Sequence, residues 1–396
     1  MVLVVSTLSA CSSSGKSSGG SPSSGSPKSV SGAPVEVVIP YSGTGIASYP
    51  ENTVAIQAAE RAINDSGGIN GHPLNVLPCD QQNPLNPNII KICMQKAISN
   101  KDVVASVGDW TAFNDVTTPL ENQAHMAQIG GVPLGASQGT LPNSFPLVML
   151  ESEGFGAALV AEGAKKPGLA YIDLPSTANT FSSLNAYLKA AGSSVQFGQK
   201  VPVSPTSTDL TPEVATLCSS DAVALALSAT EIQQYLTAHE QSPCADQKLI
   251  TTSLGIAQTV ANLGALGNGL LTASGLPFPT DTSFKGIEMF NQQMEAIDPS
   301  ARRDVPAEVV WMSIWAFALE ARKMSGAITR ASVLAHWQGV STIQVFDLLP
   351  PGLNLKDRSP VAGSERIASH WIRLGAVQNG VINDTGKGWI DVLKGS

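Results

Sequence analysis

The regular alternation of short β-branched runs with helix-length amphipathic stretches constrains this chain more than any other feature. Val35-Glu36-Val37-Val38-Ile39, closed by Pro40, reads as a buried strand. Asn52 can open a helix whose Ile56, Ala59 and Ile63 share one face, and Gly67-Gly68 stops it. Residues 74–77 are the next strand. Asn86 before Pro87 then places a capping residue ahead of a proline at the first helical position, for a helix carrying Ile89, Ile90, Cys93, Ala97 and Ile98. Residues 103–107 form a third strand closed by Gly108-Asp109-Trp110. The rhythm continues with strands at 147–150, 169–172, 222–227 and 249–252 and helices at 155–166, 177–191 and 229–239, with a Ser/Thr/Pro-rich surface loop at 202–212. Strands separated by such helices indicate βαβ units and parallel sheets covered on both faces. Two stretches of similar rhythm, near 35–135 and 169–255, imply an α/β chain of two Rossmann-like lobes. Ligands of such sheets sit at the carboxyl ends of the strands, here in the crevice between the lobes.

The last third is more helical, at 283–297 and 307–325. Trp311 and Trp315, four apart on one face, read as core packing, with Phe317 off to the side. Residues 366–383 read as a hairpin turning at Gln378-Asn379-Gly380. A chain of 396 residues has room for two or three domains. Its 43% hydrophobic and 14% charged residues exclude a disordered chain, because enough apolar surface exists to offset the entropy of ordering. A net charge of −8 supplies no basic field for phosphates, so nucleic acid is not an expected partner. No run approaches the roughly 18 apolar residues of a membrane span.

Catalytic signatures are thin. The five histidines, His72, His125, His239, His336 and His370, show no i, i+4 pair and no H-E-x-x-H frame, so no metal site is expected. Gly264-Ala265-Leu266-Gly267-Asn268-Gly269 fits neither the dinucleotide fingerprint nor the phosphate loop, and no cofactor is expected. Glu151 and Glu153 sit near a strand end with nothing to pair them into an acid/base couple, so solvation or lobe contacts are their reading. No catalytic residue is assigned.

Residues 1–11 address the chain. Val2 to Val5 is a short apolar run, and Leu8-Ser9-Ala10-Cys11 resembles the lipobox of bacterial lipoproteins, which implies diacylation of Cys11. The run is short and no Lys or Arg precedes it, so a longer signal peptide is expected upstream. Residues 12–34 hold eleven Ser, five Gly and three Pro, a flexible tether spanning about 26 Å. Together they predict a domain held near a membrane by its lipid anchor alone. The other cysteines, Cys79, Cys93, Cys218 and Cys244, are even in number, as expected for two disulfides in an exported chain. Three pairings exist. The expected one is local, Cys79–Cys93 and Cys218–Cys244, since each pair falls within one strand–helix unit.

Gly67-Gly68-Ile69-Asn70-Gly71, then a strand, then Cys79-Asp80-Gln81-Gln82-Asn83-Pro84, resembles the solute-binding proteins of branched-chain amino-acid-type ABC transporters. These are the type I periplasmic binding proteins, related to the leucine/isoleucine/valine-binding protein. The likeness continues through Val107-Gly108, Val132-Pro133, Gly135-Ala136-Ser137 and the helix from Glu308 to Arg322, and covers roughly residues 35–345. It implies two lobes joined by three crossovers, residues 35–153 plus 276–340 and residues 154–275 plus 341–396, closing on a small solute and docking on a membrane permease. It implies no chemistry and no cofactor, and a monomer is expected.

The resemblance also implies ligand positions. The first-strand loop corresponds to Ser42 through Tyr49, with Tyr49 where an aromatic lid often sits. The loop after Gly108 corresponds to Asp109, Trp110, Thr111 and Ala112. Gly135, Ala136 and Ser137 fall where the family holds an amino acid's carboxylate through hydroxyl and backbone N–H groups. On the second lobe the matches are Ser176 with Thr177 and Ser228 with Ala229. The family's acidic partner for a ligand ammonium falls near Ser253-Leu254-Gly255, where no carboxylate stands. An uncompensated buried ammonium is costly, so a non-amino-acid solute is expected unless Asp109 substitutes, and the adjacent Trp110 suits a less polar or aromatic one. The competing readings are a ligand-sensing domain of the same fold, which signals to a partner, and an exported α/β hydrolase-like enzyme.

Overall fold

The structure, a computed structural model, describes residues 30–394 except 46–47, 84–85, 174–179 and 258. Among the described residues twelve strands form two sheets. The first contains β1 (Val35–Tyr41), β2 (Leu74–Asp80), β3 (Val103–Val107), β4 (Ala127–Ile129) and β5 (Ser144–Phe145), in the order β2-β1-β3-β4-β5 and parallel throughout. The second contains β6 (Pro167–Ile172), β7 (Gln199–Val203), β8 (Ala222–Ala226), β9 (Lys248–Thr252), β10 (Leu271–Ser274), β11 (Trp371–Gln378) and β12 (Val381–Asp391). Its order is β12-β11-β10-β9-β8-β6-β7, with the final hairpin antiparallel to β10. Asn379 and Gly380 both take positive φ at the hairpin turn, as a two-residue primed turn requires.

Burial explains why the sequence reads so clearly. Val37, Val38 and Ile39 are fully buried because helices cover both faces of the sheet. The helix Pro87–Ser99 starts where Asn86 accepts from the Asn88 N–H, and Cys93 on it is bonded to Cys79 of β2. The second disulfide joins Cys218 to Cys244 across the β8–helix unit, so both pairings are local. The helix Val305–Ala321 is apolar all round and buried nearly throughout, with Asp304 as its N-cap. It lies directly on the end of β4. A methyl on Gly130 would come within 2.2 Å of Ser313 Oγ, and Gly131 donates to that oxygen at 3.0 Å.

Several expectations shift. Residues 147–150 are no strand. They form a buried crossing between lobes, with Leu147 and Val148 in the first lobe's core and Met149 in the second's, which is why they are apolar. The second crossing runs beside it, with Gly275 against Val148. The third crossing comes later than residue 340. Ile343, Val345, Leu348, Leu349, Leu353 and Leu355 all pack in the first lobe's core, so the chain leaves that lobe only after Leu355. The helices Thr211–Leu217 and Arg330–Gly339 were not expected.

Candidate functional site

In the first sheet the strand order reverses between β1 and β3, and in the second between β6 and β8. Loops leaving the carboxyl ends of neighbouring strands diverge at such a reversal and leave a crevice. The topology therefore places the described residues of three of the expected loops there: Ser42 and Tyr49 after β1, Asp109 to Ala112 after β3, and Ser228-Ala229 after β8. Ser176 and Thr177 lie outside the described residues, as does Cys11.

The first-lobe loops are laced together by the end of β2. Asp80 accepts from the Gly43 N–H at 3.0 Å and the Thr44 hydroxyl at 2.5 Å, and Gln81 Oε1 accepts from the Ala112 N–H at 3.0 Å. The Cys79-Asp80-Gln81 run thus works as loop support. Ser42 is buried, and its carbonyl accepts from the Tyr49 N–H at 2.8 Å. The half-buried Tyr49 meets Trp110 edge-to-face at 5.4 Å. Burial, with Asp304, Glu51 and Glu151 nearby, pushes the Tyr49 phenol up to about 12. Trp110 is itself buried, held by its N–H to the Pro40 carbonyl at 2.9 Å, while Ala112 is exposed.

Asp109 does not face the crevice as a free charge. Its carboxylate is fully buried and accepts from Thr111 Oγ1 at 3.0 Å, Thr117 Oγ1 at 2.7 Å and Gln128 Nε2 at 3.3 Å. Burial outweighs those bonds and raises it to about 6. Thr111 is buried with it. Asp109 therefore cannot replace the missing ammonium partner, because its acceptor capacity is used inside the lobe. Gly135 precedes the short helix Ala136–Thr140, on which Ala136 is exposed and Ser137 half-buried. Two N–H groups there already have acceptors: Leu134 donates to Asn114 Oδ1 at 3.0 Å and Ser137 to Asp115 Oδ1 at 2.8 Å. Gly135-Ala136-Ser137-Gln138-Gly139 also carries G-x-S-x-G spacing. Among the described residues no histidine hydrogen-bonds Ser137.

On the second lobe Ser228 is exposed and donates to Glu231, and Ala229 is half-buried at the start of the helix Ala229–Glu240. Leu254 is buried. Its N–H donates to Glu151 Oε2 at 3.1 Å, beside Ser253 Oγ, which donates to Glu151 Oε1 at 2.7 Å. A carboxyl group thus stands at the Ser253-Leu254 position after all, delivered by the first crossing. Burial holds Glu151 at about 8 despite these donors. Around it lie Glu308, fully buried and pushed well above the usual range by burial and by Glu151 and Asp304, and Asp304, raised by burial and by Glu51. Arg302 bridges Glu51 at 2.7 Å and Asp304 at 3.5 Å. Sequence reading missed this cluster because its members are spread from residue 51 to residue 308. The one local signal is Glu308 in the first turn of a mostly apolar helix.

The family model for periplasmic binding proteins matches residues 35–362. The chain belongs to the periplasmic binding protein family. Solved structures of this fold include a possible leucine/isoleucine/valine-binding protein from Rhodopirellula baltica, 15% identical with a TM-score of 0.74, covering 90% of this chain and 97% of that one. A branched-chain amino acid transporter substrate-binding protein from Streptococcus pneumoniae, in complex with isoleucine, is 14% identical with a TM-score of 0.68, covering 88% and 97%. A solute-binding protein from R. palustris in complex with 4-hydroxybenzoate is 17% identical with a TM-score of 0.67, covering 89% and 95%. Curated protein sequences give no match. Among the described residues of this periplasmic binding protein, no helix is long and apolar enough to cross a membrane, and no group of His, Cys, Asp and Glu has the arrangement of a metal site.

Proposed function

We propose that this chain is an extracytoplasmic, lipid-anchored solute-binding protein that delivers a small molecule to the permease of an ABC importer by closing its lobes on it. The observation that carries this reading is a switch point in each of the two sheets, in a chain matched to the family over residues 35–362. A ligand touching both lobes stabilises the closed form by its differential affinity for that form. Cys11 and the Ser/Gly tether support anchoring at the membrane, which keeps the protein concentrated at its transporter. It acts without a cofactor and as a monomer. The contact residues are Ser42, Tyr49, Trp110, Thr111, Ala112, the segment 135–137, residues 176–177, Ser228, Ala229 and Leu254.

A plain amino acid fits poorly at its carboxylate end, since the N–H groups of Leu134 and Ser137 already have acceptors. A polar or aromatic solute against Tyr49 and Trp110 fits better. The test is a thermal-shift screen of the chain against amino acids, amides, amines, aromatic acids and polyols. A ligand at 100 times its Kd adds about 2.7 kcal/mol, a shift of a few degrees. Trp110→Ala should then weaken binding of the hit at least tenfold. Unchanged affinity in that variant would remove Trp110 from the site, and turnover of a hit would favour the enzyme reading.

A further inference from the structure

The six loops at the carboxyl ends of the inner strands, residues 42–50, 108–116, 130–141, 173–180, 227–232 and 253–260, contain no Lys or Arg. They do contain Asp109, Asp115, Asp173 and Glu231. A negatively charged solute would meet no cationic side chain on them. Where an anion could use backbone donors a carboxylate already stands, since Asp115 Oδ1 takes the Ser137 N–H and would lie 2.7 Å from a methyl on Gly135. The cations of the third crossing are engaged or outlying: Lys356 Nζ donates to the Gln338 carbonyl, Arg366 Nε donates to the Ser144 carbonyl at 2.8 Å, and Arg358 is exposed.

Beside Tyr49 the charge inventory is just as one-sided. Four carboxyl groups, Glu51, Glu151, Asp304 and Glu308, are buried there, and Arg302 is committed to Glu51 and Asp304. Glu308 stands out among them. It is fully buried, and neither of its oxygens has a hydrogen-bond partner among the described residues. A buried carboxyl group without donors is costly to keep, and a carboxyl pair without a counter-ion is more so. Ser253 and Leu254 come from the second lobe to cover Glu151, so separation of the lobes uncovers Glu151 and its neighbour Glu308.

We propose that the solute is a small organic cation, an amine carrying no carboxylate, whose positive nitrogen sits against Glu151 and Glu308 with Tyr49 and Trp110 as its aromatic wall. This rests on the solute-binding reading above and specifies the solute's charge. An ammonium supplies what Glu308 lacks: donors and a counter-charge in a place closed to water, where charge pairing is stronger than at the surface. The faces of Tyr and Trp rings also attract cations. An ammonium seated there draws Glu151, otherwise protonated, into its charged form and releases its proton to solvent.

The experiment is calorimetric titration and thermal shift of the full chain with ethanolamine, benzylamine and putrescine, run beside benzoate and leucine. At least one amine should bind and raise the melting temperature, while benzoate and leucine do neither. Glu151→Gln should weaken that amine at least tenfold without loss of fold, since the amide oxygen still accepts from Ser253 or Leu254. Glu308→Gln, which leaves those bonds untouched, should weaken it by a similar factor. Circular dichroism of both variants separates lost binding from lost fold. Binding of benzoate or leucine without any amine would overturn the cation assignment and leave the solute-binding reading standing. Equal amine affinity in wild type and both variants would overturn the site. Silence from all five compounds would count against both readings.

Discussion

The two lobes share a βα architecture but hold their crevice loops by different means. In the first lobe the bonds run between loops: Gly43 to Asp80 and Ala112 to Gln81 each join segments more than thirty residues apart. Asp109 adds a buried web with Thr111, Thr117 and Gln128. In the second lobe Ser228 to Glu231 and Gly255 to Thr252 stay within a loop, and Ser253 and Leu254 are tied instead to Glu151 of the first crossing. The first lobe therefore presents a braced wall carrying Tyr49 and Trp110, while Ser228 on the second lobe is held only by its own loop. Amide exchange should follow that division, with slower exchange at 43 and 110–112 than at 228–230.

Substitutions can break or sharpen the contrast. The largest effect belongs to Trp311→Ala in the first lobe's core. Trp311 is fully buried, with Nε1 bonded to Gln293 at 2.8 Å, so truncation should cost about 3–5 kcal/mol. Scanning calorimetry should then show the first lobe melting ahead of the second. A single unshifted transition would contradict two separable cores.

Next comes pH. Glu151 is held at about 8 in the folded chain against an ordinary 4.5, and Glu153 at about 7, both by burial. As pH rises through that window the unfolded chain gives up these protons while the folded chain keeps them. Stability must therefore fall as pH rises, by up to about 1.4 kcal/mol per pH unit for each group. Glu151→Gln should remove its share of the slope between pH 5 and 8 in urea titrations, and an unaltered slope would show that Glu151 is not the group responsible.

Smaller still, Asp109→Ala strands three buried donors and should cost about 1–3 kcal/mol while loosening residues 110–112 in exchange, with Asp109→Asn milder. Smallest is Ser228→Ala, which removes one exposed local bond and should change the urea midpoint by no more than about 0.5 kcal/mol. A larger effect there would mean that the second lobe's loops are braced as firmly as the first's.

What could be read in advance divides along sequence distance. The strand–helix rhythm, the Asn86-Pro87 helix start, the local disulfides and the Asn379-Gly380 turn are all set by neighbours in the chain, and they appear where the residues indicate. β4 and β5, three and two residues long, are too short to show any period. Residues 147–150 look like a strand because burial at a crossing needs the same apolar residues. The helix Arg330–Gly339 announces itself only through the reciprocal cap of Thr329 and Ser332, a signal that was there to be read. Asp109 is adjacent to Trp110, and nothing local states that its carboxylate turns inward. The Glu51–Glu151–Asp304–Glu308 cluster depends entirely on how crossings and lobes meet.

The central claim is that a small molecule closes the two lobes over this junction. Small-angle X-ray scattering tests it most directly, comparing the free chain with the chain saturated by the compound that most raises its melting temperature. The account predicts a smaller radius of gyration in the bound form, lost in Trp110→Ala at the same ligand concentration. Identical scattering with and without a saturating ligand would contradict closure and leave a static binder.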